Sequence, residues 1–366
     1  MNILVMTTHF NTGGITSYVL TLAKGMRQKN QKVFIASSGG NRVEALSPLG
    51  VEHVQLNIRT KSELNPKIYF ALRPLCRLMK EQKIDIIHSH TRITQVMGTI
   101  LSKITGKPHV TTCHGFFKPK LARKLFPCWG NAVIAISEAV EEHLKNDFKV
   151  HERNVFLIHN GIDLNEFPAI DEATRRQRRK EFQLSDEPVV GIIARLSEVK
   201  GHGILIRAMQ TVVTNIPRAL LLIVGEGKLE SVLRKQVRRL NLEGNVRFYP
   251  IANKTKDVMP LFDVFAMPSL QEGLGLSVME AQAMGLAVVA SRVGGIVSLI
   301  EDGQTGILVE PGDSRRLAEA LIALLNDKGR ARQIGEKARL FIGEKFSFEG
   351  MIRRTFNLYQ QVARDA

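Results

Sequence analysis

Glu272 and Glu280 flank the turn Gly273-Leu274-Gly275-Leu276 in residues 268–291, where a helical pattern opens between two apolar, strand-like runs. A carboxylate accepts hydrogen bonds from vicinal hydroxyls, and backbone N–H groups at a helix start donate to phosphate oxygens. A ligand carrying both, such as a nucleotide sugar, suits this segment. A second group lies in residues 189–201, where Arg195 and Lys200 follow a predicted strand. Arg can grip a diphosphate with its forked guanidinium, and Lys can act as a point charge. A basic loop is the alternative, and the two glutamates beside it strengthen the diphosphate reading.

Other segments carry weaker signals. Asn11-Thr12-Gly13-Gly14-Ile15 follows the first apolar run and precedes a helical pattern over residues 17–26. Paired glycines let a backbone approach a phosphate or sugar, although a tight turn without ligand explains them equally well. Gly225-Glu226-Gly227 has Glu230 where a dinucleotide fingerprint needs its third glycine, so a strand-to-helix turn is the better reading. His88-Ser89-His90 and Cys113-His114-Gly115 each follow a strand pattern. His114 suits contact with sugar hydroxyls or a reacting group, while His88 and His90 stand between that and a structural role. These spacings do not establish a metal site, and no Asp-x-Asp pair follows a predicted strand; no metal ligand is expected.

The elements that must position these residues are legible as alternating patterns. Residues 2–6, 32–37, 84–88, 109–113, 132–136 and 155–158 read as parallel strands of one sheet. The pattern restarts at 189–194, 219–224, 246–249, 264–267, 287–290 and 306–309. Strands alternating with amphipathic helices imply βαβ units, and the restart implies two sheets. The expected fold class is α/β, with two doubly wound Rossmann-like domains facing each other across a cleft. Asn160-Gly161-Ile162-Asp163 and Pro168 place the junction, giving domains 1–166 and 167–347. The run Arg175-Arg176-Gln177-Arg178-Arg179-Lys180 reads as a solvated helix face. Ligands of open parallel sheets bind beyond the carboxyl ends of the strands, where the residues singled out above fall.

The chain has 366 residues and a formal charge of +16, borne unevenly: 27 Lys and Arg face 15 Asp and Glu through residue 183, against 24 and 20 thereafter. The excess can serve solubility, an anionic membrane surface, an acidic acceptor or nucleic acid. Residues 116–129 mix Phe116, Phe117, Phe126 and Trp129 with four Lys and Arg, as would a segment that inserts rings among anionic headgroups; a partly buried helix is the alternative. No RNA-binding motif accompanies it, so nucleic acid is not expected. No apolar run is long enough to span a bilayer, the N-terminus lacks signal-peptide features, and Cys76, Cys113 and Cys128 suggest no disulfide framework. A cytoplasmic setting is expected, peripheral to the membrane if the basic half meets lipid.

Together these motifs resemble the retaining glycosyltransferases of family 4, which have the two-domain GT-B fold. The similarity runs from Gly13-Gly14 through His114-Gly115, residues 160–163, 195–201 and 272–280, and Gly294-Gly295 to Tyr359. It implies that Glu280 binds the nucleotide ribose and that Glu272, with the backbone of Gly273, Leu274, Gly275 and Leu276, contacts the donor sugar and diphosphate. It also implies that Arg195 and Lys200 neutralise the leaving phosphate, that Gly13 and Gly14 approach it from the other domain, and that His114 lies beside the transferred sugar. Residues 348–366 would form a helix returning to the N-terminal domain. Ser298, where a glutamate is usual, and Pro250, where a glycine is common, depart from the pattern and bear on base or sugar selectivity.

The resemblance further implies a metal-independent transfer from a UDP- or GDP-sugar with retention of configuration. A double displacement through a carboxylate is the alternative route. The expected acceptor is a lipid-linked, lipopolysaccharide or other cell-envelope glycan. A soluble small-molecule or sugar-phosphate acceptor is the alternative, and a non-catalytic basic binding protein on the same fold is the reading outside enzymology.

Overall fold

The structure, a computed structural model, describes residues 1–365 except 61, 120–122, 124 and 251–254. It divides into two compact units, residues 1–161 with 348–366, and residues 162–347.

The first unit is built on a seven-stranded parallel sheet in the order β3-β2-β1-β4-β5-β6-β7. Its strands are β1 (Asn2–Met6), β2 (Lys32–Ser37), β3 (Glu52–Gln55), β4 (Ile86–Ser89), β5 (His109–Cys113), β6 (Ala132–Ala135) and β7 (Val155–Leu157). The helices are α1 (Gly14–Gln28), α2 (Pro66–Phe70), α3 (Leu72–Glu81), α4 (Arg92–Thr105), α5 (Glu138–Asp147) and the C-terminal helix, Phe348–Arg364. Parallel strands covered on both faces must be apolar on both, and β1, β5 and β6 are buried nearly throughout. One face packs on α1 and the C-terminal helix, the other on α2, α3 and α4. The C-terminal helix buries Met351, Ile352, Leu358, Tyr359 and Val362, each side chain contributing about 1.5–3 kcal/mol of apolar burial. Gly25 on α1 makes this fit possible, since a Cβ there would overlap the Ile352 side chain.

The second unit has six parallel strands in the order β10-β9-β8-β11-β12-β13. These are β8 (Val189–Ile193), β9 (Leu220–Val224), β10 (Val246–Tyr249), β11 (Val264–Met267), β12 (Ala287–Ser291) and β13 (Ile307–Val309). Around them lie α6 (Glu172–Glu181), α7 (His202–Asn215), α8 (Glu230–Arg239), α9 (Leu276–Ala283), α10 (Ile296–Leu299), α11 (Ser314–Asn326) and α12 (Lys328–Lys345). In both sheets the strand order reverses beside the first strand, at β1/β4 and at β8/β11, and crevices that receive ligands form at such points.

Two local expectations are corrected. β3, with sequence Glu-His-Val-Gln, carries no apolar run because it is the sheet's edge and only partly covered. The cationic run of α6 is not wholly solvated. Arg179 is buried, paired with Asp263 at 2.7 Å and donating to the carbonyl of Leu261, while Arg175 donates to the carbonyl of Phe262. The helix clamps the entry to β11 with its long cationic side chains, and burial of those charges is tolerated because each has a partner.

Candidate active site

In the second unit the candidate residues converge on loops leaving β8 and β11. After β8 a short 3-10 turn, Glu198–Lys200, ends at Gly201, whose φ of +69° is left-handed and whose Cβ position would overlap the carbonyl of Pro268. Only glycine combines that conformation with that approach. The turn is thereby pressed onto the exit of β11, and Leu270 N–H donates to the carbonyl of Val199 at 2.8 Å. Lys200 Nζ then pairs with Glu272 Oε2, which Ser269 Oγ also approaches at 3.4 Å. Both side chains are largely buried, so the pair is sheltered from salt. One of three ammonium donors is spent on Glu272, leaving the others for an anionic ligand. Arg195 is exposed and has no carboxylate partner among the described residues.

Gly275 starts α9 at φ +104°, and no heavy atom lies closer than 3.4 Å to its Cβ position, so conformation rather than space demands glycine. The first N–H groups of α9 have no acceptor inside the helix, and the N-terminal dipole favours an anion beside them. Gly295 N–H donates to the Glu272 carbonyl at 3.2 Å, holding the turn from the β12 side. Glu280, one turn further along α9, is half-buried. Burial pushes its carboxyl up to about 7, and the Thr255 hydroxyl opposes that rise. Near neutral pH it can both donate to and accept from ligand hydroxyls. Ser298 lies on α10; Pro250 adjoins residues 251–254, outside the described residues.

Gly225 and Gly227 have a role that the sequence reading attributed only to a turn. A Cβ at either would overlap the carbonyls of Ala194 and Leu196, respectively, and Leu196 N–H donates to the Glu226 carbonyl at 2.9 Å. This loop braces the backbone on both sides of Arg195. The signal was available, as two glycines directly after a buried strand mark close backbone approach.

In the first unit, Gly13 caps α1, Gly14 begins it, and no heavy atom lies within 4 Å of the Gly13 Cβ position. Asn11 of the same motif holds this loop together with Gly40 and Asn41, which were missed in the sequence. Asn41 Oδ1 accepts from Thr12 N–H at 2.9 Å, Asn11 Oδ1 accepts from Asn41 N–H at 3.2 Å, and Gly40 sits against the Phe10 backbone with no room for a side chain. Ser38-Gly39-Gly40-Asn41 at the end of β2 was the available signal.

His114 is backed by a buried polar stack. His90 Nδ1 and His114 Nε2 are 3.0 Å apart, and the Tyr18 ring meets His114 edge-on at 4.9 Å. Below them His88 Nδ1 lies 2.5 Å from the Tyr359 hydroxyl and His88 Nε2 2.7 Å from Thr112 Oγ1. Burial lowers His114 to about 3, and desolvation followed by the neighbouring histidines lowers His88 and His90 well below the ordinary range. All three rings are neutral at pH 7. His88 and His90 thus serve as support, and His114 alone of the three is only half-buried. Among the described residues no three His, Cys, Asp or Glu are grouped to hold a metal ion.

The aromatic stretch 116–129 divides, with residues 120–122 and 124 outside the described ones. Trp129 is buried against Phe148 and Phe117, and Phe117 N–H donates to His143 Nε2 at 3.0 Å. Phe126 is exposed.

The comparisons with known proteins give the family and the fold. The family described as "Glycosyltransferase Family 4" matches residues 12–166, and "Glycosyl transferases group 1" matches residues 173–341. N-acetyl-alpha-D-glucosaminyl L-malate synthase of Bacillus anthracis is 26% identical, covering 98% of this chain and 97% of that protein. The capsular polysaccharide biosynthesis glycosyltransferase CapM of Staphylococcus aureus is 26% identical, with 93% of each covered. Among solved structures, Anabaena HepE in complex with UDP-glucose has a TM-score of 0.87 at 23% identity, covering 99% of this chain and 100% of that one. The chain is a family 4 glycosyltransferase with the GT-B fold.

Proposed function

We propose that this glycosyltransferase moves a sugar from a nucleoside diphosphate donor, UDP- or GDP-linked, to a hydroxyl of a cell-envelope glycan or lipid-linked acceptor, without a metal ion and with retention at the anomeric carbon. The observation that carries the reading is the Lys200–Glu272 pair beside the start of α9, with Glu280 behind it. A diphosphate at the α9 N-terminus places Glu280 at the ribose and Glu272 at the donor sugar. Residues 167–347 form the donor domain, residues 1–166 the acceptor domain, and residues 348–366 complete the latter.

Breaking the bond between the anomeric carbon and the phosphate oxygen builds negative charge on the diphosphate. Arg195, Lys200 and the helix N-terminus stabilise it, and each such donor is worth about 10²–10³ in rate. The acceptor oxygen bonds to the anomeric carbon from the face the diphosphate leaves, and its proton passes to the leaving phosphate. His114, neutral and half-buried, is suited to hydroxyls of the transferred sugar, and the family resemblance supports a role for Gly13 and Gly14 toward the donor phosphates. The resemblance to CapM supports a cell-envelope acceptor. The basic first unit supports attachment to an anionic membrane surface from the cytoplasm, while nucleic acid is not part of the reading.

The N-acetyl-alpha-D-glucosaminyl L-malate synthase relative, similar over nearly the whole chain, favours a second reading with a small soluble acceptor. Both readings are tested by incubation with nucleotide sugars and candidate acceptors in excess EDTA, with NMR of the product's anomeric proton. Turnover with retention supports the proposal; dependence on a divalent ion or inversion refutes it, and acceptor preference separates the two readings.

A further inference from the structure

Arg92, the first residue of α4, holds two loops of the first unit to one guanidinium. Its Nε and Nη2 donate to the two oxygens of Glu63 at 2.8 Å each, and its Nη1 and Nη2 donate to the carbonyls of Pro127 and Phe126 at 2.7 and 2.6 Å. The side chain is nearly buried, so the bidentate pair is strong and geometrically restrictive. The loops it joins expose apolar groups. Phe70 is 79% exposed and Phe126 is 70% exposed, with Leu64, Tyr69 and Leu125 also open to solvent.

The same two segments are strongly cationic. Residues 59–80 carry Arg59, Lys61, Lys67, Arg73, Arg77 and Lys80 with Glu63 as the one carboxylate, and residues 116–129 carry Lys118, Lys120, Arg123 and Lys124 with none. Glu63 is spent on Arg92 and Glu81, next in the sequence, pairs with Arg77, so these acids do not offset the remaining nine cations of the two segments. The first unit as a whole holds 25 Lys and Arg against 12 Asp and Glu, whereas the second holds 26 against 23. Outward rings among cations match a bilayer, whose anionic headgroups meet the charges while the rings enter the interface. A soluble polyanion satisfies the charges and leaves the rings in water.

We infer that the two loops stapled by Arg92, with Leu64, Phe70, Leu125 and Phe126 as apolar tips, form the surface by which this protein docks on an anionic phospholipid bilayer. The inference deepens the membrane reading above and names the residues that make it.

The test is flotation of the full chain with vesicles of phosphatidylcholine alone or with about 30% phosphatidylglycerol, at low and at raised salt. The expected result is binding to the anionic vesicles only, falling roughly tenfold as salt shortens the Debye length from about 10 to about 5 Å. The double variant Phe70→Ser and Phe126→Ser should lower binding by about tenfold or more, since each ring loses its apolar transfer. Both residues are exposed, so folding and donor binding, read by thermal shift with UDP- and GDP-sugars, should be unchanged. Failure to float with anionic vesicles overturns the inference. So does flotation that is indifferent to the two Phe variants and competed by a single-stranded RNA of matched charge, which would make the surface a nucleic-acid site. In the wild-type chain, absence of vesicle binding with intact nucleotide-sugar binding refutes the surface alone; vesicle binding without nucleotide-sugar binding refutes the donor reading alone.

Discussion

Replacing Glu280 with Gln should stabilise the protein at neutral and alkaline pH, although it removes a residue assigned to the ligand. Burial raises the Glu280 carboxyl from its ordinary 4.5 to about 7, so the folded chain holds a proton that the unfolded chain has released. Below about pH 4.5 both states are protonated and the side chain contributes no pH dependence. Between 4.5 and about 7 the unfolded state binds fewer protons than the native state, and stability falls as pH rises. At about 1.4 kcal/mol per pH unit, the loss reaches about 3 kcal/mol above pH 7. Gln has nearly the same shape, cannot ionise and can still accept from Thr255. The variant should therefore equal the wild type near pH 4.5 and exceed it by about 3 kcal/mol at pH 8, or about 6–12 °C in melting temperature for a unit of this size. Melting curves across pH 4.5–8.5, with both proteins free of ligand, supply the measurement. Parallel pH profiles, or a variant less stable at pH 8, would refute the claim that a desolvated carboxyl is held there in readiness for a hydroxyl.

Lys200→Ala leaves the largely buried Glu272 carboxylate unpaired; melting should show a loss of about 1–3 kcal/mol, and kcat should fall by about 10²–10³. Gly201→Ala sets a strained φ and a clash with the Pro268 carbonyl against the usual benefit of alanine, so it should weaken donor affinity in calorimetry by at least about tenfold and cost about 2 kcal/mol or more. Gly25→Ala offers α1 about 1 kcal/mol of helix propensity, but the new methyl meets Ile352; overpacking should win, with a net loss of about 1–2 kcal/mol in urea unfolding. Tyr359→Phe removes the partner of His88 Nδ1 in a buried site and should destabilise the first unit by about 1–3 kcal/mol.

Strands were legible where the sheet is covered on both faces. The runs at β8, β9, β11 and β12 are short and largely apolar because every position is buried. β3 escaped because an edge strand has no such obligation. The identities of the candidate residues were also legible, since polar groups directly after buried strands lie at the carboxyl edge of the sheet. Their pairings were not. Lys200 meets Glu272 across 72 positions, Arg179 meets Asp263 across 84, and Arg92 gathers Glu63 and Phe126 from either side of its own helix. Such partners depend on which strands the topology makes neighbours. Local pattern does not contain that information. The contacts between Asn11 and Asn41 were hidden for the same reason, as each holds a loop that begins on a different strand.

The central claim is that the loops after β8 and β11 with the start of α9 bind a nucleoside diphosphate sugar. Calorimetric titration of the full chain with UDP-, GDP- and ADP-sugars, repeated on Glu280→Ala and on Lys200→Ala, tests it most directly. One donor should bind to the wild type. Glu280→Ala should weaken both that nucleotide sugar and the free nucleoside, whereas Lys200→Ala should weaken the nucleotide sugar and spare the nucleoside. A folded wild-type protein that binds none of the donors, or binds one with equal affinity in both variants, would contradict the assignment.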